Sequence, residues 1–231
     1  MNGRALVLLS GGLDSATALH IALERGFTVS AVSFRYGQRH GHELKAAEAV
    51  ARRAGIRDHR IIVLDPALFS GSSLTDGGPV PMNRSSEAIS SKIPSTYVPA
   101  RNTVFLAMSL ARAEVVGAGA VFIGVNALDY SGYPDCRPEY IEAFQKLADL
   151  ATRRSVQGNP VRIEAPLLHM TKAEIIIEGM KLGVDYSITS SCYSPDSKGR
   201  ACGECDACTL RLRGFREAGF QDPARYRDGL K

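Results

Sequence analysis

The chain has 231 residues, 45% of them hydrophobic and 23% charged, with a formal net charge of +4 at pH 7. That allows one sizeable core with at most an appendage, and the modest charge suits anionic small molecules without by itself indicating nucleic acid. No apolar run approaches the roughly 20 residues of a membrane span, and Met1 to Arg4 leads into a strand pattern rather than a secretory leader, so a cytoplasmic protein with no membrane partner is expected.

Leu6, Val7, Leu8 and Leu9 read as a short buried strand. Gly11 and Gly12 then force a turn, and Ser15 opens a helical run through Ala16, Leu19, Ile21, Ala22 and Leu23. In a strand, loop and helix of this kind the backbone N–H groups and the helix dipole converge on one point, where a phosphate fits. The segment Leu9, Ser10, Gly11, Gly12, Leu13, Asp14, Ser15 has neither the lysine of a GxxxxGK[ST] loop nor a GxGxxG fingerprint. Asp14 would repel a phosphate from within the loop, unless a divalent cation lay between them or its carboxylate turned onto the helix N–H groups. A plain tight turn between strand and helix is the structural alternative.

Strands are predicted at residues 28–34 and 59–64, with a helix over 43–51 between them. This alternation predicts a parallel sheet with helices on both faces and ligands at the carboxyl ends of the strands. From Asp65 to Val98 the periodicity is lost among Gly71, Ser72, Ser73, Gly77, Gly78, Pro79, Ser85, Ser86, Ser90 and Ser91, which suggests a lid or a surface insertion. Pro99 starts an apolar helix running to Val115, with Arg101 in its first turn, where a cation opposes the helix dipole and so points to an anion nearby. Strands at 121–125 and 161–164 flank a helix from about Pro138 to Arg153. Thr171 and Glu174 form the T-x-x-E capping box of the next helix, which puts Lys172 at its first position, either for a bound phosphate or simply reaching into solvent. The fold expected is α/β, a five-stranded parallel sheet of Rossmann-like, adenine nucleotide alpha-hydrolase-like type, over residues 1–185. A small C-terminal module follows over 186–231.

Cys192, Cys202, Cys205 and Cys208 crowd into one segment. Cys202-Gly-Glu-Cys205 is a knuckle spacing, and four thiolates suit a tetrahedral Zn, with an Fe–S cluster as the main competitor. A closed site of four cysteines has no position for water, so the metal would be structural. Cys136 lies apart, in Asp129-Tyr130-Ser131-Gly132-Tyr133-Pro134-Asp135-Cys136-Arg137. There Tyr133 offers a stacking face, Asp135 can accept from a purine-like edge, Arg137 can pair with a carboxylate, and Cys136 is a pocket filler or a nucleophile.

Ser10-Gly11-Gly12-Leu13-Asp14-Ser15 resembles the SGGxDS loop of the PP-loop ATP pyrophosphatases. With Tyr36-Gly37-Gln38-Arg39-His40, Val98-Pro99-Ala100-Arg101-Asn102, Gly132-Tyr133-Pro134-Asp135-Cys136-Arg137 and the cysteine segment, most of the chain is similar to the 7-cyano-7-deazaguanine synthases of the queuosine pathway. The resemblance implies conversion of 7-carboxy-7-deazaguanine and ammonia to the nitrile by successive adenylation through an amide. ATP would be the co-substrate, and Zn, Mg and a homodimer are implied. It further implies that the Ser10 to Ser15 loop holds pyrophosphate, that Asp14 acts through Mg, and that Arg101 and Lys172 neutralise charge. Arg35 and Ala100 stand where that family commonly has an aspartate and a glycine. A PP-loop enzyme that modifies a tRNA base, using Arg211, Arg213, Arg216, Arg225 and Arg227, and a non-catalytic nucleotide-binding regulator are the alternatives.

Overall fold

The computed structural model describes residues 3–39, 41–85, 89, 93–128 and 132–227. His40, Ser86, Ser90, Ser91 and Asp129 to Ser131, which entered the sequence reading, lie outside the described residues. The strands are β1 (Arg4–Leu8), β2 (Thr28–Arg35), β3 (His59–Val63), β4 (Ala120–Phe122) and β5 (Arg162–Glu164). They form one parallel sheet in the order β3-β2-β1-β4-β5. The chain order reverses beside β1, so β1 and β4 diverge at a topological switch point, and their carboxyl ends open the crevice where ligands bind in such sheets.

Alternation along the strands divides the core between the two faces. Leu6, Leu8, Val32, Phe34, Val121, Ile123 and Ile163 join an apolar cluster with Leu106 and Leu110 of α3 (Arg101–Val116) and Ile141 and Phe144 of α4 (Pro138–Ala151). Ala5, Val7, Leu9, Val29, Ala31, Ala120 and Phe122 face the other way. There they meet α1 (Leu13–Glu24), α2 (His42–Arg53), α6 (Lys172–Lys181) and Phe215 of α7 (Asp206–Glu217). The C-terminal segment therefore shares its apolar packing with the α/β core, with Phe215 only 1% exposed.

Several boundaries move for identifiable reasons. The first helix starts at Leu13, with Gly12 as its N-cap, so Asp14 sits in a helical first turn where a carboxylate suits the dipole. Pro99 precedes α3 rather than opening it, because Ala100 adopts a left-handed conformation (φ 50°, ψ 24°). The helix expected from Pro138 to Arg153 breaks at Thr152, whose extended backbone and side chain cap a separate short α5 (Arg153–Val156). The capping box at Thr171 is formed in both directions. Between residues 65 and 98 some of the described residues are anchored in the fold although others are exposed. Pro66–Phe69 is a 3-10 turn, Phe69, Ser72 and Thr96 are buried, and Asn83 N–H donates to the Glu204 carbonyl at 2.8 Å.

Candidate active site

Only Gly11 of the glycine pair needs its special freedom. Its φ is +85°, and a Cβ there would stand 2.4 Å from the Glu43 carbonyl oxygen and 2.5 Å from the Ala47 nitrogen. The loop after β1 thus lies directly against the first turn of α2. On its other side Gly124, just past β4, approaches so closely that a Cβ would meet the Asp14 and Ser15 backbone at 3.0 Å. The loop is closed by its own hydroxyls, with Ser10 N–H and Ser10 Oγ–H donating to Ser15 Oγ (3.2 and 3.1 Å) and Ser15 Oγ–H to the Gly12 carbonyl (3.1 Å). These hydroxyls and N–H groups are the kind of donor that phosphate oxygens take up at a helix N-terminus.

A second segment completes the loop. Ser190 N–H donates to the Gly11 carbonyl (2.9 Å), and Leu13 N–H donates to Ser191 Oγ (3.4 Å). The next residue, Cys192, belongs to the cysteine cluster, whose four ligand atoms lie within 4.8 Å of one another and are all buried. Four thiolates around Zn at about 2.3 Å would sit roughly 3.8 Å apart, so the set fits that ion after small adjustment. Backbone N–H groups already aim at the sulfurs, from Ser194 and Cys202 to Cys192 Sγ (3.3 and 3.2 Å) and from Glu204 and Cys205 to Cys202 Sγ (3.4 and 3.3 Å). Cys208 lies in the first turn of α7, where the helix dipole favours a thiolate. Arg84 clamps this end, its Nε and Nη2 donating to the two carboxylate oxygens of Asp206 at 3.1 and 2.5 Å.

A cavity opens above β1 and β4, lined among others by Leu9, Ser10, Gly12, Leu13, Asp14 and Ser15. Tyr36, Glu43, Arg101, Asn126, Tyr133 and Cys136 line it too. Arg101 donates to the Tyr36 hydroxyl (3.3 Å) and lies over the Tyr36 and Phe105 rings (6.0 and 5.9 Å). Burial works against its charge, yet the Tyr36 phenol, with Asp135 and Cys136 nearby, holds its pKa above the ordinary arginine value. The Tyr133 hydroxyl is 2.7 Å from Thr96 Oγ1, and its ring meets Tyr97 edge-on at 5.9 Å. Asn126, 1% exposed, donates through Nδ2 to the Leu167 carbonyl (3.1 Å) and to the Met170 carbonyl.

Three residues singled out in the sequence stand differently. Lys172 is 5% exposed and donates to both Asp14 oxygens (2.7 and 3.0 Å), so it is neither a solvent lysine nor part of the cavity wall. The awkward carboxylate is paired with this ammonium, while Asp14 itself remains in the cavity lining and part-exposed. Asp135, 5% exposed, accepts from the Asn102 backbone N–H (2.9 Å) and so caps α3 from a remote loop instead of facing the cavity. Arg137 is exposed at the N-cap of α4, away from the cavity lining. Cys136 does line it, but burial and then the neighbouring Asp135 push its thiol up to about 12, which leaves a neutral filler that accepts a contact from Asn102 Nδ2 (3.4 Å). Arg35 is exposed at the end of β2 and stays out of the lining.

The sequence reading missed Glu43, Asn126, Ser190, Ser191 and, as a cavity residue, Tyr36. Of these, Tyr36 and Asn126 carried a signal, lying just past β2 and β4 at the ligand-binding edge of the sheet.

A family model described as "QueC: Queuosine biosynthesis protein QueC" matches residues 4–219. A 7-cyano-7-deazaguanine synthase from Paramagnetospirillum magneticum (strain ATCC 700264 / AMB-1) is 59% identical over 222 residues, 96% of this chain and 98% of its own length. One from Kineococcus radiotolerans (strain ATCC BAA-149 / DSM 14245 / SRS30216) is 59% identical over 227 residues, 98% and 99% of the two chains. Among solved structures, a 4-thiouridine synthetase in an RNA complex with bound ATP superposes with a TM-score of 0.50 at 21% identity. It covers 80% of this chain and 42% of that one, a likeness of fold alone.

Proposed function

The chain belongs to the queuosine biosynthesis protein QueC family, and from that membership we propose that it is an ATP-dependent carbon–nitrogen ligase converting 7-carboxy-7-deazaguanine and ammonia to 7-cyano-7-deazaguanine. A carboxylate on an electron-rich ring is a poor electrophile. Transfer of AMP to it releases pyrophosphate, and ammonia then displaces AMP to give an amide. A second adenylation, on the amide oxygen, lets AMP leave with that oxygen as the nitrile forms.

The observation that carries this reading is the cavity at the switch point, where the Leu9 to Ser15 loop, the Arg101 guanidinium and the Tyr133 ring converge. In the proposed mechanism the loop N–H groups and hydroxyls hold the departing pyrophosphate, and Arg101 stabilises the charge that develops as it leaves. Lys172 acts through Asp14, holding the first turn of α1 in register under the phosphates. Tyr133 supplies a stacking face for the deazaguanine ring, and Asp135 fixes the start of α3 and with it Arg101. Cys136 forms no covalent intermediate. Zn, held by Cys192, Cys202, Cys205 and Cys208, would be structural and would anchor Ser190 and Ser191 on the loop. Magnesium would travel with the ATP phosphates, and Asp14, in the lining beside the loop, would be the residue to hold it there. A homodimer is part of the proposal, to be read by light scattering.

The test is to incubate the protein with ATP, Mg, ammonium and 7-carboxy-7-deazaguanine and follow AMP, pyrophosphate and the nitrile by mass spectrometry. Nitrile with AMP is expected. Release of ADP that does not depend on the deazaguanine would overturn the adenylation mechanism.

A further inference from the structure

Ammonia carries three N–H bonds and a nitrile nitrogen none, so the proposed reaction must shed three protons from the reacting nitrogen. One leaves as the C–N bond forms and the C–O bond to AMP breaks. The other two leave as the adenylated amide loses AMP. A group beside the pyrophosphate loop must therefore accept protons from nitrogen, and the cavity lining offers few.

The carboxyls among the described lining residues are Asp14 and Glu43. Asp14 is already paired, accepting from the Lys172 ammonium through both oxygens at 2.7 and 3.0 Å. Tyr36, Tyr133 and Cys136 are held in their neutral acid forms by burial, and Arg101 stays charged. Glu43 differs from all of these. Among the described residues its carboxyl accepts no hydrogen bond and has no ion-pair partner within 4.0 Å, although it lines the cavity. Its place relative to the loop is also fixed, because its carbonyl oxygen is the atom that a Cβ on Gly11 would strike. His42, its neighbour on α2, lines a different cavity.

The geometry points to Glu43 as the catalytic base that takes the N–H protons from the nitrogen during amide formation and during the elimination to the nitrile. This assignment rests on the functional reading above. Burial raises the Glu43 carboxyl to about 7, against the opposing pull of Arg101, and a base tuned near the working pH can both accept a proton and release it to water between steps.

The experiment supplies the 7-carboxamide and the 7-carboxy substrate separately to the parent and to Glu43→Gln, which keeps the shape and removes the base. Nitrile formation from the amide is expected to fall by roughly 10²- to 10⁴-fold in kcat, with the KM for the deazaguanine changed less than about threefold. Pyrophosphate exchange driven by the carboxylate, which needs no N–H proton loss, should fall by less than about tenfold. The parent should lose nitrile formation as pH drops below about 7, and the variant should lack that limb. The ionisable neighbours Asp14, Tyr36, Arg101, Tyr133 and Cys136 are common to both proteins. Should Glu43→Gln fail to fold, Glu43→Asp keeps a carboxyl drawn back by one methylene, and a slower reaction that retains the acid limb is expected.

Equal nitrile rates in parent and variant, or a raised KM with kcat unchanged, would overturn the proposal, the latter by making Glu43 a contact for the guanine-like edge. If the parent itself makes no nitrile from either substrate, it is the functional reading that fails rather than the role of Glu43.

Discussion

Replacing Lys172 with methionine separates two jobs that a cation beside a phosphate loop could have. The Lys172 stem is packed against α7, where a Cβ on Gly214 would come within 2.3 Å of the lysine Cγ, so methionine keeps most of that packing and removes only the charge. What remains is an Asp14 carboxylate that is 20% exposed and has lost the ammonium at 2.7 and 3.0 Å. Breaking a fully buried pair from one side costs about 3 to 5 kcal/mol. Because water reaches part of Asp14, about 2 to 3 kcal/mol is the expected loss, or a fall of about 5 to 10 °C in Tm for a chain of this size. Urea unfolding of Lys172→Met, Asp14→Asn and the double variant measures it. The double variant should recover most of the loss, since no buried charge is then left alone. If Lys172→Met unfolds within about 0.5 kcal/mol of the parent, the ion pair does not hold the loop. If the double variant recovers stability but its pyrophosphate release stays as low as that of Lys172→Met, the lysine serves the phosphates as well.

Cys192→Ser should lower bound Zn, read by metal analysis of the purified protein, and weaken ATP binding by tenfold or more, because Cys192 directly follows the serines that bond Gly11 and Leu13. Cys136→Ser should keep nitrile formation within about threefold, since the thiol is held neutral; loss of turnover with an intact fold would restore the nucleophile. The Glu43 carboxyl, raised by burial from 4.5 to about 7, favours the folded state when protonated, so its contribution is full below about pH 4.5 and is lost as pH rises through about 7. Glu43→Gln should therefore unfold at higher urea than the parent at pH 8 and lose that advantage near pH 5. Ala100→Gly should stabilise by up to about 1 kcal/mol by thermal melt, the left-handed strain removed exceeding the entropy that glycine adds to the unfolded chain.

What could be read in the sequence was local. The glycine turn after β1, the capping box at Thr171 and the cysteine spacing each announce themselves within a few residues, and each is present. Asp135 shows where local rules stop. Helix α3 begins at an alanine with no side-chain cap, so the Asn102 N–H needs an acceptor, and the fold provides one from 33 residues away. A carboxylate that looks free to read a substrate edge is thereby used on the backbone. Lys172 was unusual for its helix position, but its partner lies 158 residues off in sequence, so the anomaly was legible and its resolution was not. Glu43 carried no signal at all. Beside Glu48 on a helix with ordinary propensity it is one more surface acid, until α2 is laid against Gly11 and the residue joins the cavity lining.

The distances along the chain also explain why a four-cysteine cluster belongs in this protein. Leu13 and Ser191 are 178 residues apart, and the serine segment lies outside any strand or helix that could hold it against the loop. The backbone from Thr189 to Tyr193 is pinned on one side by Ser190 N–H on Gly11, and on the other by the N–H groups of Tyr193 and Ser194 on Cys205 and Cys192 Sγ. Hydrogen bonds to neutral sulfur are weak, and those to a metal-bound thiolate are stronger because the acceptor is charged. A closed metal site at that point would convert this loop into a fixed wall of the cavity without lending the metal any part in the chemistry. Losing the metal would then be felt first at the phosphates, where the Ser190 and Ser191 contacts are made, before the sheet itself is disturbed.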